Sequence, residues 1–262
     1  LVSKPITKRK HEKFTFLIVL IVGMVMIIAS CKKDDDSSTA ATTSGCTVVS
    51  SCSATASTDN VSGIAGNGYL TGTYDKFAHA SASYTIDNST GCVSDTNLIS
   101  AYSSAIPTGT ASFQYQFVMT STTTFVERNS WYSDTSCATP IATFVKGFTN
   151  FATGDNLSGL SVSGKPSTAT QYTATETCTD TYPYNEAGVT FLDSLVTGSG
   201  ITHVSGTRST CAGDGDTEYG IMNISDSTWD ATVNDNRTLV VESRESSAMT
   251  TWDDPDTLTR ID

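Results

Sequence analysis

An all-β fold, an antiparallel barrel or sandwich with one short helix, preceded by a cleaved leader and a disordered linker, is what this 262-residue sequence predicts. Three observations lead there. Apolar and polar residues alternate in many short runs, the period-two pattern of half-buried strands. Clusters of Gly, Asn, Asp and Pro separate those runs at close intervals. After residue 30, Ser and Thr make up 75 of 232 residues, which suits strands and solvated linkers better than helices.

The leader comes first. Lys4, Lys8, Arg9, Lys10 and Lys13 form a basic region, followed by an apolar run from Phe14 to Ile28 broken only by Thr15 and Gly23, the order of a secretory signal. As a helix, the run to Ala29 reaches roughly 24 Å, short of the ~30 Å hydrocarbon core of a bilayer. It therefore reads as a signal and not a span. Ile28, Ala29 and Ser30, an aliphatic residue and two small ones, stand directly before Cys31. This segment resembles the lipobox of bacterial lipoproteins. The resemblance implies diacylglycerol on the Cys31 thiol, cleavage before it and acylation of the new amino terminus. Several acyl chains anchor stably, each buried CH₂ adding ~0.8 kcal/mol. Next come Lys32, Lys33, Asp34, Asp35 and Asp36. Composition alone makes them the charged start of a linker. They also resemble the surface-export signal of Bacteroidota-type lipoproteins, which implies an outer-membrane protein with outward display.

Cleavage leaves 10 basic against 26 acidic side chains, a formal charge of −16. Binding a nucleic acid backbone needs a basic face to release counterions, so nucleic acid is not an expected partner. From Ser37 to Gly68 the chain is mostly Ser, Thr, Ala and Gly, with scattered Val and Ile and no periodicity, read as a coil of ~5–6 Å × √n, roughly 30 Å of reach.

Residues 69–262 form the predicted domain. Phe113, Tyr115, Phe117 and Met119 alternate with Gln114 and Gln116. Similar runs lie at Tyr69–Phe77, Ser81–Ile86, Thr123–Tyr132, Pro140–Phe151, Leu157–Val162, Ala169–Cys178, Tyr219–Ile224 and Thr238–Ser243. Turn clusters at 87–91, 154–156, 164–166 and 213–216 divide them. One segment follows a different period: Val189, Leu192, Leu195 and Val196 recur at helical spacing behind Asn185, an effective cap. Gly188 weakens this helix.

Six cysteines remain beside Cys31: Cys46, Cys52, Cys92, Cys137, Cys178 and Cys211. In an exported chain they read as three disulfides, with fifteen connectivities open. A Cys178–Cys211 bridge would clamp the helix between its flanking strands. Cys92–Cys137 and Cys46–Cys52 are the remainder, the latter closing a small local loop, unless Cys46 or Cys52 pins the linker to the domain instead.

Three motifs resemble lipocalin-like, or calycin-type, barrels. Leu70-Thr71-Gly72-Thr73-Tyr74 resembles the Gly-x-Trp element of the first strand, with Tyr in place of Trp. The stretch from Trp131 to Pro140, with Asp134 and Cys137, resembles an aromatic-x-Asp-x-x-Cys-x-x-Pro corner. Tyr219–Ile224 followed by Trp229 resembles the penultimate hairpin. In the corner, Asp134 can accept backbone N–H groups, Cys137 ties the turn down and Pro140 blunts the next strand.

Chemistry is sparse. His79 and His203 are the two histidines after the leader, each read as a partly exposed strand or loop residue, and no Gly-x-Ser-x-Gly elbow occurs. Asp214, Asp216 and Glu218 alternate in a Gly-rich loop and could supply three oxygens to calcium, without the twelve-residue EF-hand spacing; an acid-tolerant turn is the plainer reading. No cofactor is expected. The aromatic residues either fill a small barrel or line a pocket in it. The expectation is a lipid-anchored, non-enzymatic binding or adhesion module for extracellular macromolecules, attached to the membrane through its acyl anchor. The alternative is a lipocalin-like carrier of a small apolar ligand.

Overall fold

Alternation at 113–119 forms a strand, and the rest of the domain follows the same logic. A computed structural model describes residues 52, 57, 61–66, 69–70, 73–78, 86–87, 92–162, 164–196, 201–213, 215–225, 238–244, 247–253 and 255–260. The leader, the lipobox, Cys31, Lys32–Asp36, Cys46 and His79 lie outside the described residues. In chain order the elements are β1 (Val61–Ser62), β2 (Tyr69–Leu70), β3 (Thr73–Ala78), β4 (Ile86–Asp87), β5 (Cys92–Val93) and α1 (Thr96–Ala101). Then come β6 (Ser112–Met119), β7 (Phe125–Tyr132), β8 (Pro140–Ser158), β9 (Thr168–Pro183) and α2 (Glu186–Leu195). β10 (Ser209–Ala212), β11 (Thr217–Ser225), β12 (Thr238–Arg244) and β13 (Asp256–Arg260) complete the described fold.

Strands β3, β6, β7, β8, β9, β11, β12 and β13 pair antiparallel in that order, and β13 returns to β3. Closure rests on two registers: Tyr74 opposite Phe117 on one edge of β3, and Phe77 opposite Leu258 on the other. The all-β expectation therefore resolves to a barrel-like sheet curled on itself, its β3 and β6 edges meeting at Thr73↔Val118 and Tyr74↔Phe117. β10 pairs with β9 at Ser209↔Thr181 and β11 pairs with it from Thr217↔Thr175, so the two are successive halves of one barrel strand. Between them the Glu176 amide donates to the Asp216 carbonyl and the Gly215 amide to the Glu176 carbonyl.

Several boundaries differ from the expected ones for identifiable reasons. The turn cluster at 154–156 ends no strand, because β8 runs through it to Ser158 and absorbs the extra residues as register shifts between Thr149 and Ala152 and between Thr153 and Asn156. Asn150 accordingly sits at φ 55°. The helix at 186–195 is present, with the Asn185 carboxamide oxygen accepting the Gly188 amide at 3.0 Å. Gly188, unfavourable in a helix, is required for docking: a Cβ there would collide with the Ile141 carbonyl oxygen of β8. The helix α1 was not expected; Asp95 caps it by accepting the amides of Asn97 and Leu98 at 2.9 Å each.

Part of the stretch assigned to the linker is built into the barrel. Ile64 is 3% exposed within the interior cluster, and the Ile224 amide donates to the Ala65 carbonyl at 2.9 Å. The Ala65 amide donates to Thr170 Oγ1 at 2.7 Å. Upstream, the Ser57 amide donates to the Met119 carbonyl, and Cys52 is disulfide-bonded to Cys178. That bond corrects two expected pairings, Cys178–Cys211 and Cys46–Cys52. Its cause is spatial: Cys178 points from β9 to the outer wall, where Val118, Val126 and Val145 form an apolar seat for Cys52. Cys211 is also disulfide-bonded. Cys92–Cys137 forms as expected.

The corner before β8 is held by Asp134. Its carboxylate accepts the Ser136 hydroxyl at 2.6 Å, the Ser136 amide at 2.8 Å, the Ala138 amide at 3.1 Å and the Thr139 amide. The Ser136 hydroxyl and the Ala138 amide lead in holding this carboxyl well below the usual carboxylate range. Such a group stabilises the fold above the ordinary Asp value of about 3.9 and loses that effect as pH falls toward the depressed folded value. Asp134→Ala should lower the melting temperature at pH 6, and the gap from wild type should narrow progressively as pH falls below about 4. A gap that stays constant with pH in calorimetry would contradict the assignment. Removing the Cys52–Cys178 bridge, which spans 126 residues, should cost about 3–5 kcal/mol in urea unfolding of the Cys52→Ser, Cys178→Ser double variant.

Candidate functional site

Residues opposite one another on paired strands share a face, so the registers sort the barrel's side chains into inside and outside. Inside, the layers follow β7 and β8: Phe125 opposite Phe148, Glu127 opposite Lys146, Asn129 opposite Phe144, and Trp131 opposite Ala142. The first layer is packed with rings. Phe117 and Phe148 stack on Phe125 at 4.7 and 4.6 Å, while Phe151 and Tyr172 meet it edge-on at 5.8 and 6.2 Å. Tyr172 lies flat over Gly220, leaving no space for a Cβ there. Its hydroxyl is buried with no hydrogen-bond partner among the described residues. Burial, then Glu218 and Glu127, push its pKa up, with the nearby Ser243 hydroxyl acting weakly the other way.

The second layer is charged. Lys146 Nζ donates to Glu176 Oε2 at 2.7 Å, with both side chains at most 8% exposed, and Glu176 Oε1 accepts the Thr179 hydroxyl at 3.0 Å. Burial alone would disfavour the ammonium, but the Glu176 carboxylate beside it, helped by Glu218 and Glu127, raises the Lys146 pKa instead. At the α2 end the third cluster is apolar again, with Phe191 edge-on to Trp131 at 4.8 Å and Leu192 fully buried.

A hydroxyl, an imidazole and a carboxylate meet near that end. His203 Nε2 lies 2.9 Å from Thr181 Oγ1, and Nδ1 lies 2.8 Å from Asp193 Oδ1. His203 is 3% exposed, which corrects the expectation of a partly exposed histidine. A hydrolytic triad needs the opposite arrangement, an accessible hydroxyl and a buried acid. Here Thr181 is 4% exposed and donates to the Ser209 carbonyl at 3.2 Å, while the Asp193 side chain is 38% exposed. The arrangement clamps the chain after α2 onto β9.

The outer wall across β6, β7, β8 and β9 carries a different surface. Arg128 Nη1 donates to Gln116 Oε1 at 3.1 Å, and Tyr132 Oη donates to Gln114 Oε1 at 2.7 Å. Asp180, on the same wall, has its carboxyl raised by burial, against the pull of Arg208, whose Nη1 lies 3.2 Å from Asp180 Oδ2, and of Thr210 and Arg128. The Arg208 guanidinium also sits 5.8 Å from the Tyr182 ring centroid. Tyr182 in turn meets Tyr184 edge-on at 4.3 Å, and Tyr184 is close enough to Tyr132 to help raise that phenol's pKa, burial being the larger cause. Tyr184 is 42% exposed and the Arg208 side chain 60%. Three phenol rings, two amides and two guanidiniums thus share one wall, each oriented by a neighbour.

Sequence reasoning did not find this wall, because its residues come from elements far apart in the chain. The calcium candidates do not form a described site: Asp214 lies outside the described residues, Asp216 is exposed between β10 and β11, and Glu218 sits on β11 opposite Ala174, facing inward. Among the described residues no group of three His, Cys, Asp or Glu is placed to hold a metal ion. None of the described helices is long and apolar enough to cross a membrane. No family model and no curated protein matches the chain.

Breaking a buried ion pair costs more than the pair contributes, since the surviving charge is stranded. Glu176→Gln should therefore destabilise the barrel by about 3–5 kcal/mol in urea unfolding at pH 7. Because the Lys146 pKa is raised, the stabilisation it brings is complete below the ordinary lysine value of about 10.4 and is lost as pH rises through the folded value. In Glu176→Gln the ammonium loses its main partner and burial favours its neutral form, so the gap should narrow as pH rises toward the ordinary lysine value. A gap that stays constant from about pH 7 to pH 10 would contradict the assignment.

Proposed function

We propose that the chain is a lipid-anchored outer-membrane lipoprotein, displayed at the cell surface, whose barrel is a non-enzymatic binding or adhesion module for extracellular macromolecules. The observation that carries the reading is the outer wall. Its tyrosines, glutamines and arginines stand on rigid strands with their orientations held by hydrogen bonds and ring contacts, so little ordering entropy remains to be lost on binding.

Two further observations support parts of the reading. The lipobox at Ile28–Cys31 supplies an anchor that asks nothing of the domain's surface, compatible with its strong acidity. The eight-stranded meander, with one element of its core contributed by the segment ahead of β2, supports the calycin-type resemblance. The carrier alternative needs an open apolar interior. Stacked Phe117, Phe125 and Phe148 instead occupy the apolar layer of the described barrel.

Two measurements test the anchor and the display. Wild-type protein should partition with the outer membrane and incorporate labelled fatty acid, whereas Cys31→Ala should do neither; fatty-acid labelling of the variant would remove Cys31 as the lipidated residue. Antibodies against the barrel should label intact cells. Labelling that appears only after the envelope is opened would place the domain inside and overturn the display.

A further inference from the structure

We propose that the wall bearing Tyr132, Tyr182, Tyr184 and Arg208 binds an uncharged polysaccharide, laid across strands β7 to β9. The inference rests on the reading of this wall as the binding surface and adds the chemical class of its partner. Three observations select that class.

The first is what the wall offers. Phenol rings give flat faces against which the C–H faces of a sugar ring can lie. Amide and guanidinium groups beside them are planar donors and acceptors suited to paired hydroxyls. Tyr132 and Gln114, and Arg128 and Gln116, are already oriented in pairs across β6 and β7.

The second is what the wall lacks. A protein partner would be expected to meet an apolar core inside a polar rim. Among the described residues the exposed large apolar side chains are Tyr184 and Val204 alone, and Val145, beneath this wall, is 5% exposed. Hydrogen bonds and ring faces are therefore what the surface has to give.

The third is charge. Arg208 is paired with Asp180 at 3.2 Å, so the most exposed cation of the wall is already met by an anion. The chain after residue 30 carries a formal −16, and that field opposes the approach of a polyanion. An uncharged, hydroxyl-rich chain is free of that penalty.

The test uses the full-length lipoprotein in detergent, run by affinity electrophoresis through gels containing dextran, mannan, galactan or arabinan, with dextran sulfate as the anionic probe. Expected is retardation by at least one neutral polymer that resists 0.5 M salt, about tenfold weaker in Tyr184→Ala and in Arg208→Ala. Tyr184→Phe, which keeps the ring, should retain most of the retardation, and Thr122→Ala, on the β6–β7 turn, should retain all of it. Unaltered melting temperatures show that each variant is folded; should Arg208→Ala fail to fold, Tyr184→Ala carries the comparison. Retardation unaffected by Tyr184→Ala overturns the site, and salt-sensitive retardation by dextran sulfate alone overturns the uncharged class. Adherence of intact cells to immobilised extracellular matrix is measured in parallel. Adherence that depends on Tyr184 without any polymer retardation overturns the polysaccharide and leaves the binding module standing. Absence of both overturns the two together.

Discussion

Closure of the sheet through β3, which pairs with β13 along one edge and β6 along the other, is the constraint on which the rest of the structure depends. A strand has only two faces, and once eight of them form a ring one face of each is sealed inside. Every other residue is then committed to the interior whatever its polarity. That commitment stacks Phe117, Phe125 and Phe148, and it also brings Glu127, Lys146 and Glu176 into a buried layer.

The charged layer acts as a register device in this context. Lys146 lies between Val145 and Gly147, both of which face outward, so a slip of one residue along β8 would turn the ammonium out and leave Glu176 buried alone. The energy of such a slip is dominated by the stranded carboxylate and not by any loss of apolar area. The same outward position of Gly147 leaves room for the disulfide, because a Cβ there would collide with Cys178 Sγ. One registration therefore serves the ion pair inside and the Cys52–Cys178 bridge outside.

That bridge, the Ser57 amide on Met119 and Ile64 in the core draw the chain ahead of β2 onto the barrel. α2 closes off the aromatic layer around Trp131 at one end, with Gly188 permitting its close approach to β8. The interior is thereby given over to structure in the described region, and the chemistry available to a large partner lies on the wall. Its groups are held by one another: Gln114 by Tyr132, Gln116 by Arg128, Tyr182 by both Tyr184 and Arg208.

Local patterns in the sequence determined the local features. Alternation placed β6, β7 and β12, the Asn185 cap placed α2, and the spacing of Asp134, Cys137 and Pro140 described the corner. The short β10 and β13 escaped because four or five residues carry too little periodicity. The Cys92–Cys137 pairing was legible only as the remainder of a scheme whose other two members fail, so its agreement owes nothing to that scheme. Tertiary structure alone decided that Cys178 meets Cys52, that His203 is buried, that Lys146 points inward, and that Tyr132, Tyr182, Tyr184 and Arg208 share a wall. The physical reason is range. A strand's period and a helix cap are set by residues a few positions apart, whereas register and ring closure are set by pairings such as Tyr74 with Arg260, which nothing local specifies.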